Sequence, residues 1–400
     1  MHPERVVSGM RPTGAMHLGH YHGALKNWIK LQSEFPCLFF VADWHALTTH
    51  YEGPSVIQPS IWDMVIDWLA AGIDPSKATI FIQSQVPEHA ELHLLLSMIT
   101  PLAWLERMPT YKDQQANLSD RDLSTYGFLG YPLLQAADVL IYRAGKVPVG
   151  EDQVPHVEMI RELARRFNHL YGRERDFAQK VQEAVKKLGG KQGKRYAELH
   201  TQYQEQGNTQ ALEDVKNMLD EAQSLSAQDK ERLFGNLTGS RRQILVEPQS
   251  LLTEESRLPG LDGRKMSKSY GNAIALREEK DSVIKKVRTM PTDPARVRRT
   301  DPGEPEKCPV WQFHKVYSDA PTQEWVVKGC RSAGIGCLEC KQPVIDAILK
   351  EQEPMRERAQ QYLDNPRLVR DIVDEGCGKA RKLAVETMSE VRSEMGLHYS

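Results

Sequence analysis

Cys37–Asp43 reads CLFFVAD, an apolar run with no polar alternation until its closing aspartate. A run of that kind suits a strand covered on both faces, as in a parallel sheet flanked by helices. Upstream, Val6–Ser8 opens a shorter apolar run, and downstream Thr79–Gln83 (TIFIQ) supplies a third. Between them, Leu18–Leu31 and Ile57–Ala71 carry apolar residues at helical spacing, the second halting at Gly72. The order β, α, β, α, β implies right-handed crossovers and a doubly wound parallel sheet, with ligands expected beyond the carboxyl ends of the strands.

Further along, Tyr131–Tyr142 (YPLLQAADVLIY) and Asp152–Phe167 are expected to be helical, with Lys146–Val149 a strand between them. From 176 to 249 the chain turns polar and rich in Lys, Glu and Gln. Gly189, Gly190 and Gly193 break it into helical pieces such as Ala211–Leu225. After Tyr270 the sequence is charged and helical again, except for an irregular stretch over 289–336. The expected organisation is a catalytic α/β domain over 1–175, a helical insertion over 176–249, a return to the first domain over 250–275, and a C-terminal helical domain over 276–400.

Composition narrows the function classes. A length of 400 residues exceeds one ordinary core, and 40% hydrophobic with 26% charged residues excludes a disordered chain. The formal net charge of -2 means that any nucleic-acid contact must come from local basic patches. No stretch approaches the roughly 18 apolar residues of a membrane helix, so no membrane contact and a cytoplasmic location are expected. Six cysteines are too few for a disulfide scaffold.

Two short stretches carry chemistry. Gly9-Met10-Arg11-Pro12-Thr13-Gly14 follows the first strand, and Met16-His17-Leu18-Gly19-His20 opens a helix. A helix N-terminus offers unpaired N–H groups, so imidazoles one turn apart there suit phosphate or ribose, although surface or capping histidines would give the same string. Lys265-Met266-Ser267-Lys268-Ser269, between Gly263 and Gly271, places two ammonium groups and two hydroxyls in five residues. That suits a triphosphate, the alternative being a solvated basic turn. The pairing of the two stretches in one chain disfavours the bland readings.

Together these stretches resemble the two signatures of the class I aminoacyl-tRNA synthetases, the first with Leu18 for the usual Ile. Val147–Gln153 (VPVGEDQ), followed by His156, Glu158, Arg161 and Arg166-Phe167-Asn168, resembles the tryptophanyl-tRNA synthetases within that class. No match is evident for the 176–249 insertion. The resemblance implies a Rossmann-like catalytic domain and a C-terminal tRNA-anticodon-binding domain. It also implies ATP along Arg11, Pro12, Thr13, Gly19 and His20, its ribose on Gly150, Glu151 and Asp152, its phosphates on Lys265, Met266, Ser267, Lys268 and Ser269, and its adenine near Leu258. His17, His20, Lys265 and Lys268 would stabilise charge in catalysis, with Mg²⁺ on the leaving pyrophosphate. The activity implied is activation of L-tryptophan to the adenylate and its transfer to tRNA(Trp), by a homodimer that binds no DNA.

Asp138 is implied as the acceptor for the indole, with Gln153, Tyr131, Gln135, His45 and Val7 around the side chain. Tyr131, Gln135, Asp138 and Tyr142 fall on one stripe of an otherwise apolar helix. Indole N–H is a donor only, so an ionised carboxylate on a rigid element is its natural partner. A solvated stripe is the alternative, and Gln135 departs from the Met that many family members carry. The tyrosyl enzymes place Tyr where Val7 stands and Asp where Arg11 stands, which speaks against a phenol site here. A catalytically inactive binding or regulatory protein would be expected to lose His20 or a lysine of the second signature, and both stand. An iron–sulfur redox sensor on the same scaffold is a further alternative.

Cys308, Cys330, Cys337 and Cys340 have 21, six and two residues between successive members. One close pair among four thiols can ligate a [4Fe–4S] cluster, as in a subset of the tryptophanyl enzymes with similar spacing; Zn²⁺ or no metal are the alternatives. Cys37 and Cys377 are expected to be bystander thiols. Lys285, Lys286, Arg288, Arg296, Arg298 and Arg299 set six positive side chains against Asp293 alone, a candidate tRNA contact or a solvated face.

Overall fold

The computed structural model describes residues 4–108, 125–172, 176–206, 208, 210–238, 243–252 and 258–397. Five strands, β1 (Val6–Met10), β2 (Cys37–Val41), β3 (Ala78–Ile82), β4 (Lys146–Val149) and β5 (Gln249–Leu252), form one sheet in the order β3-β2-β1-β4-β5. Every pairing is parallel, with Val6 opposite Cys37 and Cys37 opposite Ala78. The strand order reverses between β1 and β4, and these two pair only at Val6 and Lys146. A crevice therefore opens beyond their carboxyl ends, where doubly wound sheets hold ligands.

The apolar run of β2 is buried throughout, as a strand covered on both faces must be. Trp28, from the helix after β1, stacks on Phe39 with ring centroids 4.2 Å apart, and Trp68 meets Trp28 edge-on. Trp68 belongs to the helix Ile57–Ala71, which ends at Gly72 with φ 122°. The C-terminal helix Cys337–Asp364 joins the same core through Val344, Ile345 and Ile348. Burial of each such side chain contributes about 2 kcal/mol.

Several expectations are corrected. The first helix is not uniform: Leu18–His20 and Lys26–Leu31 flank a π-helical turn, Tyr21–Leu25, the kind of irregularity often found at functional sites. Asp43 does not end a strand but begins the helix Asp43–His50. The stretch 289–336 is not irregular throughout, since it contains the helices Pro309–Tyr317 and Ala320–Arg331; each has a proline in its first turn, where the missing N–H costs nothing. Strand β5, half exposed and short, carried no strong periodic signal.

Residues 1–161 and 247–386 form one compact unit, and 162–246 with 387–400 form a second. Within the second, Phe177–Leu188, Gly190–Gln206, Gln210–Glu221 and Ala227–Thr238 pack around their own core, which includes Val181, Leu199, Val215 and Leu233.

Candidate active site

A cavity of about 400 Å³ lies at the crevice between β1 and β4. Val7 to Arg11 form one side, Val147 to Gly150 the other, and Trp28 and Phe40 contribute apolar surface. Val7, His45, Tyr131, Gln135, Asp138 and Gln153, the six side chains assigned to amino-acid recognition, all line it.

Asp138 sits on the helix Tyr131–Leu140 and is 1% exposed. The solvated-stripe reading therefore fails for this residue. Its Oδ1 accepts from Gln83 Nε2 at 2.7 Å and faces His89 Nδ1 at 2.6 Å; its Oδ2 faces His45 Nε2 at 2.8 Å. Burial alone would push the carboxyl up, but the hydrogen bonds from His45 and His89 outweigh it and hold the pKa at about 2. The group is consequently an anion with acceptors only. Gln135 Oε1 accepts from His156 Nδ1 at 2.9 Å, so this amide is tied back against a neighbouring helix.

The two signature stretches meet beside the cavity. Leu18 N donates to Ile274 O at 2.9 Å and Leu276 N to Met16 O at 3.0 Å, pinning the segment after the lysine loop to the start of the helix. Gly19 N donates to Met266 Sδ at 3.3 Å, across 247 positions. Gly14, at φ +117°, lies beneath the Lys268 ammonium, which an added Cβ would meet at 3.0 Å. His17 and His20 stack with ring centroids 3.6 Å apart. Burial, then the charges of Lys268 and Lys265, lowers His17 to about 4. His20 keeps an exposed edge, yet the protein around its ring, followed by His17, Lys265 and Lys268, brings it to about 3. Both rings are thus neutral near pH 7. His20 Nδ1 accepts from His17 N at 3.3 Å, which leaves the hydrogen on Nε2, free to donate outward.

Asn272 holds the lysine loop in shape. Its Oδ1 accepts from Ser267 N at 2.8 Å, and its Nδ2 donates to Asp262 Oδ1 at 2.7 Å and to Lys265 O at 3.2 Å.

The family described as tRNA synthetases class I (W and Y) matches residues 1–197 and 225–351. A tryptophan–tRNA ligase of Ralstonia nicotianae is 72% identical over 400 residues, covering 100% of both chains. That of Thermotoga maritima is 43% identical over 397 residues, covering 99% of this chain and 100% of its own. Among solved structures, a tryptophanyl-tRNA synthetase of Campylobacter jejuni complexed with ADP and tryptophan superposes with a TM-score of 0.72 at 27% identity, over 98% of this chain and 100% of that one.

The chain belongs to the class I tryptophanyl-tRNA synthetases. It is an enzyme, with the activity of a tryptophan–tRNA ligase. The match to the Ralstonia relative runs through 176–249, where the sequence alone offered no match; the family description leaves 198–224 and 352–400 uncovered.

Not every residue assigned to ATP reaches the cavity of this synthetase. Arg11 and Gly150 line it, whereas Glu151 and Asp152 stand exposed on the 3-10 turn Glu151–Gln153. Pro12 is buried and Thr13 exposed beside the first signature. Leu258 is 5% exposed and packs into the core with Leu261, Met266 and Ile274. The side chain of Ser269 lies outside the described residues.

In the synthetase's C-terminal helices, Cys308 caps Pro309–Tyr317, Cys330 closes Ala320–Arg331, and Cys337 and Cys340 open Cys337–Asp364. All four thiols are free and bear on one another electrostatically: burial, then Cys308, Cys330 and Cys337, pushes Cys340 up to about 12. Among the described residues, no group of three or more His, Cys, Asp or Glu side chains is gathered closely enough to hold a metal ion. The four thiols as arranged therefore do not by themselves distinguish a [4Fe–4S] cluster, Zn²⁺ and no metal. Arg296 also departs from the basic patch: it is buried, and it donates to Ile335 O and lies 3.8 Å from Cys330 Sγ. Lys286 pairs with Glu278 at 2.5 Å, while Lys285, Arg288, Arg298 and Arg299 remain exposed.

Sequence reasoning missed His89, Gln83 and Asn272. None belongs to a motif, and each acts through a hydrogen bond to a residue that does.

Proposed function

We propose that tryptophan enters the cavity with its indole N–H directed at Asp138 and its side chain among Val7, His45, Tyr131 and Gln153. The observation that carries this reading is a buried, ionised, acceptor-only carboxylate lining the crevice at the switch point of the sheet. A site built on such an acceptor rejects an amino acid that cannot donate to it. The family uses ATP and Mg²⁺. ATP lies along Arg11, Pro12, Thr13, Gly19 and His20, with its ribose at Gly150, Glu151 and Asp152 and its adenine near Leu258. The phosphates meet Lys265 to Ser269.

The tryptophan carboxylate attacks the α-phosphorus and pyrophosphate leaves, giving the adenylate; the terminal ribose hydroxyl of tRNA(Trp) then attacks its carbonyl, taking the acyl group as AMP leaves with the bond to its phosphate oxygen broken. His20 donates from Nε2 as a neutral imidazole, and His17 orients it by stacking. Lys265 and Lys268 follow the charge that develops on the leaving pyrophosphate, and Gly14 gives Lys268 room to do so. No residue bonds covalently to the substrate. Amino-acid-dependent ATP–pyrophosphate exchange tests the reading: exchange with tryptophan and not tyrosine, lost in Asp138→Ala, is expected, and exchange unaffected by that substitution would overturn the role of Asp138.

We further propose that the four cysteines hold a [4Fe–4S] cluster, which four thiols with one close pair can ligate. Burial and the neighbouring thiols raise Cys330 and Cys340, as thiols close to one another do, and Arg296 beside Cys330 acts against this in favour of thiolate. Bound there, the cluster would join three helix ends and supply a redox-active, acid-labile cross-link. The exposed Lys285, Arg288, Arg298 and Arg299 nearby in sequence suit the tRNA backbone, consistent with anticodon binding by 276–400. Leu94, Met98 and Leu102, exposed and near one another in sequence, suit contact with a second copy of the chain. A cytoplasmic location follows from the tRNA substrate.

A further inference from the structure

His89 is fully buried on the helix Glu88–Ser97, outside both signatures and not among the residues lining the cavity. One ring nitrogen, Nδ1, lies 2.6 Å from Asp138 Oδ1, and the other, Nε2, lies 2.6 Å from Tyr142 Oη. Phe40 and Phe81 flank the ring, with centroids 6.1 and 6.2 Å away. An ionised Asp138 can only accept, so His89 Nδ1 carries a hydrogen. Burial and the charge of Asp138 keep the Tyr142 hydroxyl protonated, so it donates to Nε2 and fixes that tautomer.

We propose that His89, held in one tautomer by Tyr142, is a positioning and specificity-determining residue for the amino acid: it fixes the carboxylate of Asp138 so that one acceptor is left for the indole N–H. The proposal rests on the reading of Asp138 as the indole acceptor. A carboxylate offers about four acceptor positions. Gln83 and His89 take the two on Oδ1, and His45 takes one on Oδ2, so the remaining one is on Oδ2. Without His89, Oδ1 would be held by Gln83 alone, the carboxylate would be freer to rotate, and the surplus acceptor would favour water or a different donor. The network thus acts on discrimination between ligands that do and do not donate from the indole position.

The test compares ATP–pyrophosphate exchange with tryptophan and with its benzothienyl analogue, which has the same shape but sulfur in place of N–H. In wild type the ratio of kcat/KM for the two amino acids reports the bond to Asp138. His89→Leu should cut that ratio by about tenfold to a hundredfold, chiefly through KM for tryptophan, while the analogue and ATP change little. His89→Asn, which keeps a donor near the Nδ1 position, should recover most of it. Tyr142→Phe, nearly isosteric, frees the tautomer and should give an intermediate loss, and it decides the question if His89→Leu does not fold. Equal losses for tryptophan and analogue, or an unchanged ratio in both variants, would overturn the proposal. Asp138→Asn separates the two levels: a ratio unmoved there sinks the reading of Asp138 itself, whereas a ratio that collapses there but not in His89→Leu or Tyr142→Phe sinks only the role of His89.

Discussion

The Gly19 amide donates to the sulfur of Met266 at 3.3 Å. This contact ties the helix after β1 to the middle of the lysine loop, and it forms at the one point in the first signature where a side chain is missing. A Cβ on Gly19 would stand 3.0 Å from His17 Nδ1 and 3.3 Å from Met266 Cβ.

Gly19→Ala should therefore push the histidine pair and the lysine loop apart. We expect kcat for adenylate formation to fall about a hundredfold, as misplacements near 1 Å do, with KM for tryptophan within twofold. Steady-state exchange kinetics check this. A change confined to tryptophan KM would mean that the contact serves the amino-acid pocket instead.

Lys268→Ala should lower kcat by about 10²–10³-fold while leaving tryptophan affinity intact, because the ammonium acts on charge that appears on the departing pyrophosphate. Equilibrium tryptophan binding measured beside turnover distinguishes this outcome from a general loss of the site.

The pH dependence has a definite sign. His17 and His156 are held at about 4 and His20 at about 3, all below the usual 6.5, with burial as the leading cause. The unfolded chain binds protons at these rings from about pH 6.5 downward while the native chain does not, so acidification from 6.5 towards 4 favours unfolding. Denaturation midpoints measured across that range should fall, and His17→Asn should make the fall shallower. Asp138 acts in the same direction over a lower range: held near 2 against an unfolded 3.8, it contributes stability that is present above about pH 4 and lost only as pH falls towards 2. It cannot account for losses between pH 6.5 and 4.

Protein purified without oxygen should hold about four irons and four acid-labile sulfides per chain, with visible absorption that bleaches in air. Cys337→Ser should lower iron content and the thermal midpoint together. Stoichiometric zinc in their place, or four titratable thiols with no metal, would remove the cluster from the reading.

The architecture was legible wherever a local pattern was uninterrupted. The buried run of β2, the amphipathic Ile57–Ala71 and the glycine-rich turn after β1 each declare themselves within a few residues, because periodicity and turn chemistry are local properties. The six residues that resemblance assigns to tryptophan, which the fold gathers around one cavity, and the paired signatures were legible too. Strand β5 and the helices within 289–336 were not, since their state depends on the neighbours that cover them.

The amino-acid sequence by itself determined the parallel α/β class, the two signatures and the place of a carboxylate, Asp138, on the polar stripe of one helix. Tertiary structure alone decided how that carboxylate is held. Gln83, His45 and His89 come from three different elements and reach it across 55, 93 and 49 positions. A hydrogen bond between residues so far apart leaves no periodic or motif signal in the chain. It exists only because sheet and helices bring the partners within 3 Å in a place dry enough to make an unpaired donor or acceptor costly. The same reason separates Arg296 from its basic neighbours: adjacent in sequence, they differ because only its guanidinium was folded inward against Cys330.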